Sequence, residues 1–185
     1  MNILIYLSGI WIISEILLSR LLRRTDPEKD HDRSSLKILW ITIGISIVSG
    51  ILLSRTNLAI SSGNGLILYY LGIICIGLGL IVRWSAIIKL RKFFTVNVTV
   101  SEEQTIIRSG MYKYIRHPAY TGSLLSFLGL SLVFNNWITF LIIFFPVVMA
   151  FLYRIRIEEA VLCAAFGDRY KDYMNHSRRL IPWLY

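Results

Sequence analysis

Two short stretches carry residue types and spacings suited to chemistry. The first is Ser109-Gly110-Met111-Tyr112-Lys113-Tyr114-Ile115-Arg116-His117-Pro118-Ala119-Tyr120-Thr121-Gly122. Pro118 fits the first turn of a helix, where its missing N–H does no harm, which places His117 near the N-cap with free backbone donors beside it. A helix start of this kind attracts anions. The second stretch is Arg154-Ile155-Arg156-Ile157-Glu158-Glu159. On a helix Arg154 and Glu158 share a face, whereas Glu159 turns away by about 100°. A guanidinium and a carboxylate can therefore point together into one pocket. Each feature also has a plain structural use: His117 as a capping residue, the tyrosines as membrane-belt residues, Arg154 and Glu158 as a surface ion pair of about 0.3–0.5 kcal/mol. Charge placed directly after a membrane span favours the functional reading.

The elements that must position these residues are hydrophobic. In 185 residues, 55% are hydrophobic, and the mean hydropathy of +0.60 exceeds what a soluble core of this size needs. Apolar runs predict five spans, Ile3 to Leu22, Ile38 to Leu53, Leu66 to Ile88, Ala119 to Phe134 and Trp137 to Tyr153. Three of them are only about 24–26 Å long at 1.5 Å per residue, so they need flanking residues, local thinning or helix contacts to cross about 30 Å of hydrocarbon. The N-terminal run lacks a basic leader and a cleavage signal, and reads as a retained span.

The formal net charge is +9, and all 20 Lys and Arg except Arg55 fall in or beside Arg20–Lys37, Arg83–Arg116 and Arg154–Arg179. That alternation predicts a cytoplasmic C-terminus under the positive-inside rule and explains the positive charge without nucleic acid. Asn135-Asn136 signals a tight turn, so spans four and five should form an antiparallel hairpin. Helical spacing continues through Ile157, Val161, Leu162 and Phe166 until Gly167 supplies a C-cap. Lys89–Arg116 reads as an extended loop, and Lys171–Tyr185 as an interfacial tail. The division expected is residues 1–96, three N-terminal spans, and residues 97–185, the part that carries the chemistry.

Other chemistries find no support in the sequence. Cys75 and Cys163 are isolated from each other and from the histidines, so neither a disulfide framework nor a metal site is expected. There is no nucleophile elbow, Walker loop or dinucleotide fingerprint, and Gly77 and Gly79 suit helix packing. Glu15, alone in the first run, reads either as an interhelical polar contact or as a residue closer to the surface.

Together the ordered residues resemble the isoprenylcysteine carboxyl methyltransferase family, which is akin to membrane phospholipid methyltransferases. The resemblance rests on Ser109-Gly110-x-Tyr112, Arg116-His117-Pro118-x-Tyr120-x-Gly122, Arg154-x-x-x-Glu158-Glu159, Phe166-Gly167-x-x-Tyr170-x-x-Tyr173 and Ile181-Pro182, and it covers about residues 97–182. It implies an all-α integral membrane protein whose cytoplasmic C-terminal half binds S-adenosylmethionine and methylates a lipid-like or prenylated acceptor in the bilayer. The family's cofactor contacts carry over onto a strand-like approach at Gln104, Thr105, Ile106 and Ile107, onto Tyr112, His117, Pro118, Ala119 and Tyr120, and onto Glu158; an equivalent at Asn97 is loosely aligned. Arg154 falls at the position associated with the acceptor carboxylate, so Arg154 and Glu158 are the expected catalytic pair.

The cofactor's chemistry suits these groups. Its carboxylate needs donors, which the His117–Pro118 helix start offers, and its ammonium needs a carboxylate such as Glu158. Tyr112 and Tyr120 can pack on adenine or screen the sulfonium. Which end lies where stays open. Two other classes compete: an NADPH-dependent membrane reductase using Arg178 and Arg179 for a 2′-phosphate, and a non-catalytic lipid-binding protein whose basic loops hold anionic headgroups. The expected location is a prokaryotic plasma membrane, or the endoplasmic reticulum in a eukaryote. The sequence leaves the acceptor and the oligomeric state open.

Overall fold

The computed structural model describes residues 2–21, 33–54, 56, 65–90, 94 and 105–182. All five apolar runs are helical: α1 (Asn2–Leu21), α2 (Arg33–Ser54), α3 (Gly65–Leu90), α4 (Pro118–Val133) and α5 (Trp137–Phe166). A short amphipathic helix, α6 (Asp168–His176), follows, and a 3₁₀ turn at Gly110–Lys113 precedes α4. Among the described residues three segments are long and apolar enough to cross a membrane, Ser34–Ser54, Gly65–Leu90 and Trp137–Phe166, while Gly9–Leu18 and Pro118–Val133 are shorter apolar helices. Ile41, Ile45, Ile67, Ile81 and Phe145 are exposed on the outer faces, as expected of surfaces that meet lipid.

Local chemistry sets the helix ends. The Asn136 side chain caps α5 by accepting from the Ile138 and Thr139 N–H groups at 2.9 and 3.2 Å. Asn135 takes the left-handed turn conformation with φ 49°, which asparagine tolerates better than most residues. Gly167, at φ 55°, ends α5 and gives its N–H to the Cys163 carbonyl at 2.9 Å.

The Asn135-Asn136 turn joins α4 to α5, but each helix finds its most extensive packing elsewhere, α4 on α3 and α5 on α2. The reason is side-chain size. Gly72 and Gly79 on α3 face Gly129, Gly122 and Ser126 on antiparallel α4, so closely that a Cβ on Gly79 would lie 2.6 Å from the Gly122 carbonyl oxygen. Without a hydrophobic force between helices in lipid, such backbone contact supplies the van der Waals attraction that holds them together. Gly77 touches nothing and is not part of this seam. At the centre, Trp11, Leu39, Ile76, Phe127, Val147 and Phe151 from five helices form one buried cluster. Glu15 is indeed an interhelical contact: its carboxylate meets Arg83 of α3 at 2.6 Å, and Arg83 also donates to Ser123 Oγ of α4 at 2.6 Å.

The C-terminal segment packs on the rest of the chain. Tyr170 and Tyr173 give α6 a buried face. The chain then folds back along the approach to α4: Ile115 and Arg178 form a parallel bridge, with Arg116 N–H donating to the Arg178 carbonyl at 2.7 Å and Arg178 N–H to the Tyr114 carbonyl at 2.9 Å. Thr121 Oγ1 donates to the Leu180 carbonyl at 2.8 Å, and Leu180 is buried. Residues 177–180 thus strap the α4 N-terminus.

Candidate active site

Arg154 and Glu158 are one turn apart on α5, and Tyr120 of α4 connects them. The Tyr120 hydroxyl donates to Glu158 Oε2 at 2.6 Å and accepts from Arg154 Nε at 3.1 Å. Arg154 Nη1 donates to Ser35 Oγ of α2 at 2.9 Å. Arg154 is only 2% exposed. A charge that deep in an apolar bundle is tolerable only with hydrogen-bond partners, and these are supplied by helices on either side of it. The Glu158 side chain retains 28% exposure, so its carboxylate has an open edge.

His117 lies on the other side of Glu158. Its ring stacks on Tyr120 with centroids 5.6 Å apart and an interplanar angle of 15°. Its Nδ1 is 3.9 Å from Glu158 Oε1 and its Nε2 is 3.3 Å from Glu159 Oε1. The backbone donors expected to be free beside it are largely engaged: the His117 N–H goes to the Arg179 carbonyl at 3.0 Å, and the Tyr120 and Thr121 N–H groups to the His117 carbonyl at 3.0 Å. The strap and the first helical turn satisfy them internally.

Glu159 turns away from Arg154, as its helical phase requires, but meets a second polar cluster. It accepts from Arg116 Nε at 2.9 Å and Arg179 Nε at 2.8 Å, and is 4% exposed. Arg116 reaches on to the Ser177 carbonyl, with which it makes a very short contact, and to the Met174 carbonyl at 3.1 Å. These partners join α5, the α4 approach and the strap through one carboxylate. The sequence places Arg116 and Glu159 in the family motif without a stated role; the doubled carboxylate at 158 and 159 is the available signal, since two adjacent acids on a helix leaving the membrane serve two faces.

Of the other residues singled out, Tyr112 is 5% exposed, donates to the Ala86 carbonyl at 3.3 Å, and packs with Leu18, Ile87 and Ala119. Burial raises its phenol well above the usual tyrosine range, and the Glu158 charge raises it further. Tyr173 donates to the Tyr112 carbonyl at 2.6 Å, and burial pushes its own phenol up to about 12. Ile107 packs against this cluster, Ile106 is half-buried and Thr105 exposed. Residues 105–108 have no regular secondary structure, so this part of the expected strand-like approach is coil; Gln104 and Asn97 lie outside the described residues. Arg108 donates to Asp172 Oδ2 at 2.7 Å and to the Arg169 carbonyl at 2.6 Å, which pins the approach to α6 and holds the Asp172 carboxyl below its ordinary range. Pro118 and Ala119 are buried at the first turn of α4.

The family model for phospholipid methyltransferases matches residues 67–169, more than half of the chain. The chain belongs to the phospholipid methyltransferase family. Its matched segment runs from α3 through α5 and includes Tyr112, His117, Tyr120, Arg154, Glu158 and Glu159.

Among curated proteins, this family member is similar to the protein-S-isoprenylcysteine O-methyltransferase of Schizosaccharomyces pombe, 32% identical over 114 residues that cover 60% of this chain and 48% of that protein. It is similar also to protein-S-isoprenylcysteine O-methyltransferase A of Arabidopsis thaliana, 30% identical over 115 residues that cover 61% and 58%. The chain thus spans about half the length of the curated relatives it matches. Among solved structures it resembles the eukaryotic intramembrane Ras methyltransferase, isoprenylcysteine carboxyl methyltransferase, with a TM-score of 0.62 at 20% identity over 96% of this chain and 64% of that one. At that identity the likeness is one of fold: a multi-pass, all-helical membrane architecture.

Proposed function

We propose that this family member transfers a methyl group from S-adenosylmethionine to the carboxylate of an isoprenylcysteine-like lipid acceptor. The observation that carries the reading is Arg154, a guanidinium 2% exposed and held at two nitrogens by Tyr120 and Ser35, one helical turn from a carboxylate that shares the same tyrosine hydroxyl. A fixed, buried guanidinium is a receptor for a carboxylate, because its planar fork matches two oxygens. The names of the curated relatives support the same acceptor class.

The residues beside it fit the methyl donor. Glu158 offers a partly open carboxylate for an ammonium, and the apolar surface around Ile107, Tyr112 and Ala119 suits an adenine ring. Thr105, Ile106, His117, Pro118, Tyr120 and, beyond the described residues, Gln104 complete the proposed donor set. S-adenosylmethionine, when bound, supplies an electrophilic methyl on a sulfonium. Arg154 then binds and orients the acceptor carboxylate, Tyr120 fixes Arg154 and Glu158 relative to each other, and the buried setting excludes water. Opposite charges annihilate in such a transfer, so a dry pocket favours it and no base is required.

An aminophospholipid acceptor is a second reading, favoured by the family's description. It fits the site less well, since an ammonium must lose a proton and Arg154 would repel it. The reductase reading loses support because Arg179 Nε is engaged by Glu159, which draws Arg179 away from a shared role with Arg178 on a 2′-phosphate. In the proposed topology all five apolar helices cross the bilayer, and the half from about residue 97 onward faces the cytoplasm at its basic end.

The test is label transfer from S-adenosylmethionine to N-acetyl-S-farnesyl-cysteine, its methyl ester, or phosphatidylethanolamine, with the protein in phosphatidylcholine vesicles. Transfer to the free acid alone is expected, and Arg154→Gln should lower it by about 10²-fold. Transfer only to phosphatidylethanolamine would overturn the carboxylate reading.

A further inference from the structure

The segment that matches the family begins at residue 67, within α3, and so leaves α2 without a function. The structure nevertheless brings α2 to the reacting centre. Its inward face carries Ser35, Leu39, Ile43 and Ser46, all buried, and α5 is its principal packing partner. Ser35 is 1% exposed. It begins a stripe that turns apolar at Leu39 and Ile43, and its Oγ receives Arg154 Nη1 at 2.9 Å.

We propose that Ser35 is a positioning residue for the acceptor carboxylate and acts through Arg154. The inference rests on the acceptor reading above and adds the device that aims the guanidinium. A guanidinium held at a single nitrogen can pivot about that bond. Among the described residues Arg154 is held at Nε by the Tyr120 hydroxyl on α4 and at Nη1 by the Ser35 hydroxyl on α2, and anchors on two different nitrogens fix its plane more closely than one would. Bidentate recognition of a carboxylate depends on that plane, whereas a point charge would tolerate rotation.

The arrangement assigns the two anchors different effects. Tyr120 also holds Glu158, so its removal disturbs both halves of the site. Ser35 meets the terminal nitrogen of Arg154, whereas Glu158 lies on the Tyr120 side. Loss of the Ser35 hydroxyl should therefore weaken the acceptor and spare the donor. Its placement on α2 gives a helix outside the matched segment a part in the site: α2 aims the arginine while its outer face exposes Ile38 and Ile41.

The experiment uses the full chain in phosphatidylcholine vesicles, S-adenosylmethionine as donor and N-acetyl-S-farnesyl-cysteine as acceptor. Ser35→Ala is expected to raise the acceptor KM about tenfold and to leave the donor KM and the calorimetric donor Kd within about twofold. Ser35→Thr, which keeps the hydroxyl, should recover most of that loss. In an Arg154→Gln background Ser35→Ala should add less than about twofold, because the group it aims is gone. Parallel changes in both KM values, loss of donor binding, full additivity with Arg154→Gln, or no change at all would overturn the role. If the wild-type protein binds the donor and leaves the free acid unmethylated, the acceptor reading itself fails, and Ser35's role with it.

Discussion

The α3–α4 seam and the polar cap at the end of α5 hold the molecule by opposite means. The seam is made by taking side chains away: glycine and serine let two backbones touch, and the attraction is dispersion over a long contact. The cap is made by adding charge: Glu159 gathers Arg116, Arg179 and His117, and the strap of residues 177–180 satisfies the backbone around them. The seam fixes α4 relative to α3 and so fixes where His117 and Tyr120 stand. The cap fixes how the His117 ring and the α4 terminus face α5. Position in this part of the molecule thus comes from packing, and orientation from ion pairs.

Breaking the cap should have the larger effect on stability. Glu159→Ala leaves Arg116 and Arg179 without their shared carboxylate, and removal of one partner of a buried ion pair typically costs about 3–5 kcal/mol. A lower melting temperature in detergent, accompanied by protease sensitivity after Phe166, is the expected result. Gly79→Val places a Cβ 2.7 Å from the Ser126 N–H nitrogen, and overpacking of this kind costs about 1–3 kcal/mol. The same melting assay should show a smaller drop, with the strap still protected. Tyr173→Phe removes the hydroxyl that donates to the Tyr112 carbonyl, a bond worth about 0.5–1.5 kcal/mol. Because the folded phenol titrates at about 12, above its ordinary value, that contribution is complete below the usual tyrosine range and is lost as pH rises through about 12. The melting advantage of wild type over Tyr173→Phe should therefore shrink as pH rises above the usual tyrosine range and reverse toward about 12, where the buried phenolate is penalised.

The helices themselves were legible from hydropathy, and their ends from Asn136, Pro118 and Gly167, because these signals are local. The partners of α4 were less so. The Asn135-Asn136 turn correctly indicates adjacency in the chain, but the repeat of small residues at 72 and 79 and at 122 and 129 was the stronger packing signal, and it pairs α4 with α3. The shared face of Arg154 and Glu158 followed from helical spacing, while Tyr120 as their bridge required the two helices to be docked. Glu159 was read from its own helix alone; Arg116 and Arg179, its partners, lie 43 and 20 residues away. The same holds for α6, whose charged sequence reads as a surface tail until Tyr170 and Tyr173 find the approach to α4.

The proposed function divides labour on one face of α5, with Glu158 serving the donor and Arg154 the acceptor. Calorimetric titration of S-adenosylmethionine into the wild-type protein, Glu158→Gln and Arg154→Gln tests it most directly. Saturable binding by the wild type, a loss of at least about tenfold in affinity for Glu158→Gln, and near-unchanged affinity for Arg154→Gln are expected. Equal loss in both variants, or binding of NADPH in place of S-adenosylmethionine, would contradict it.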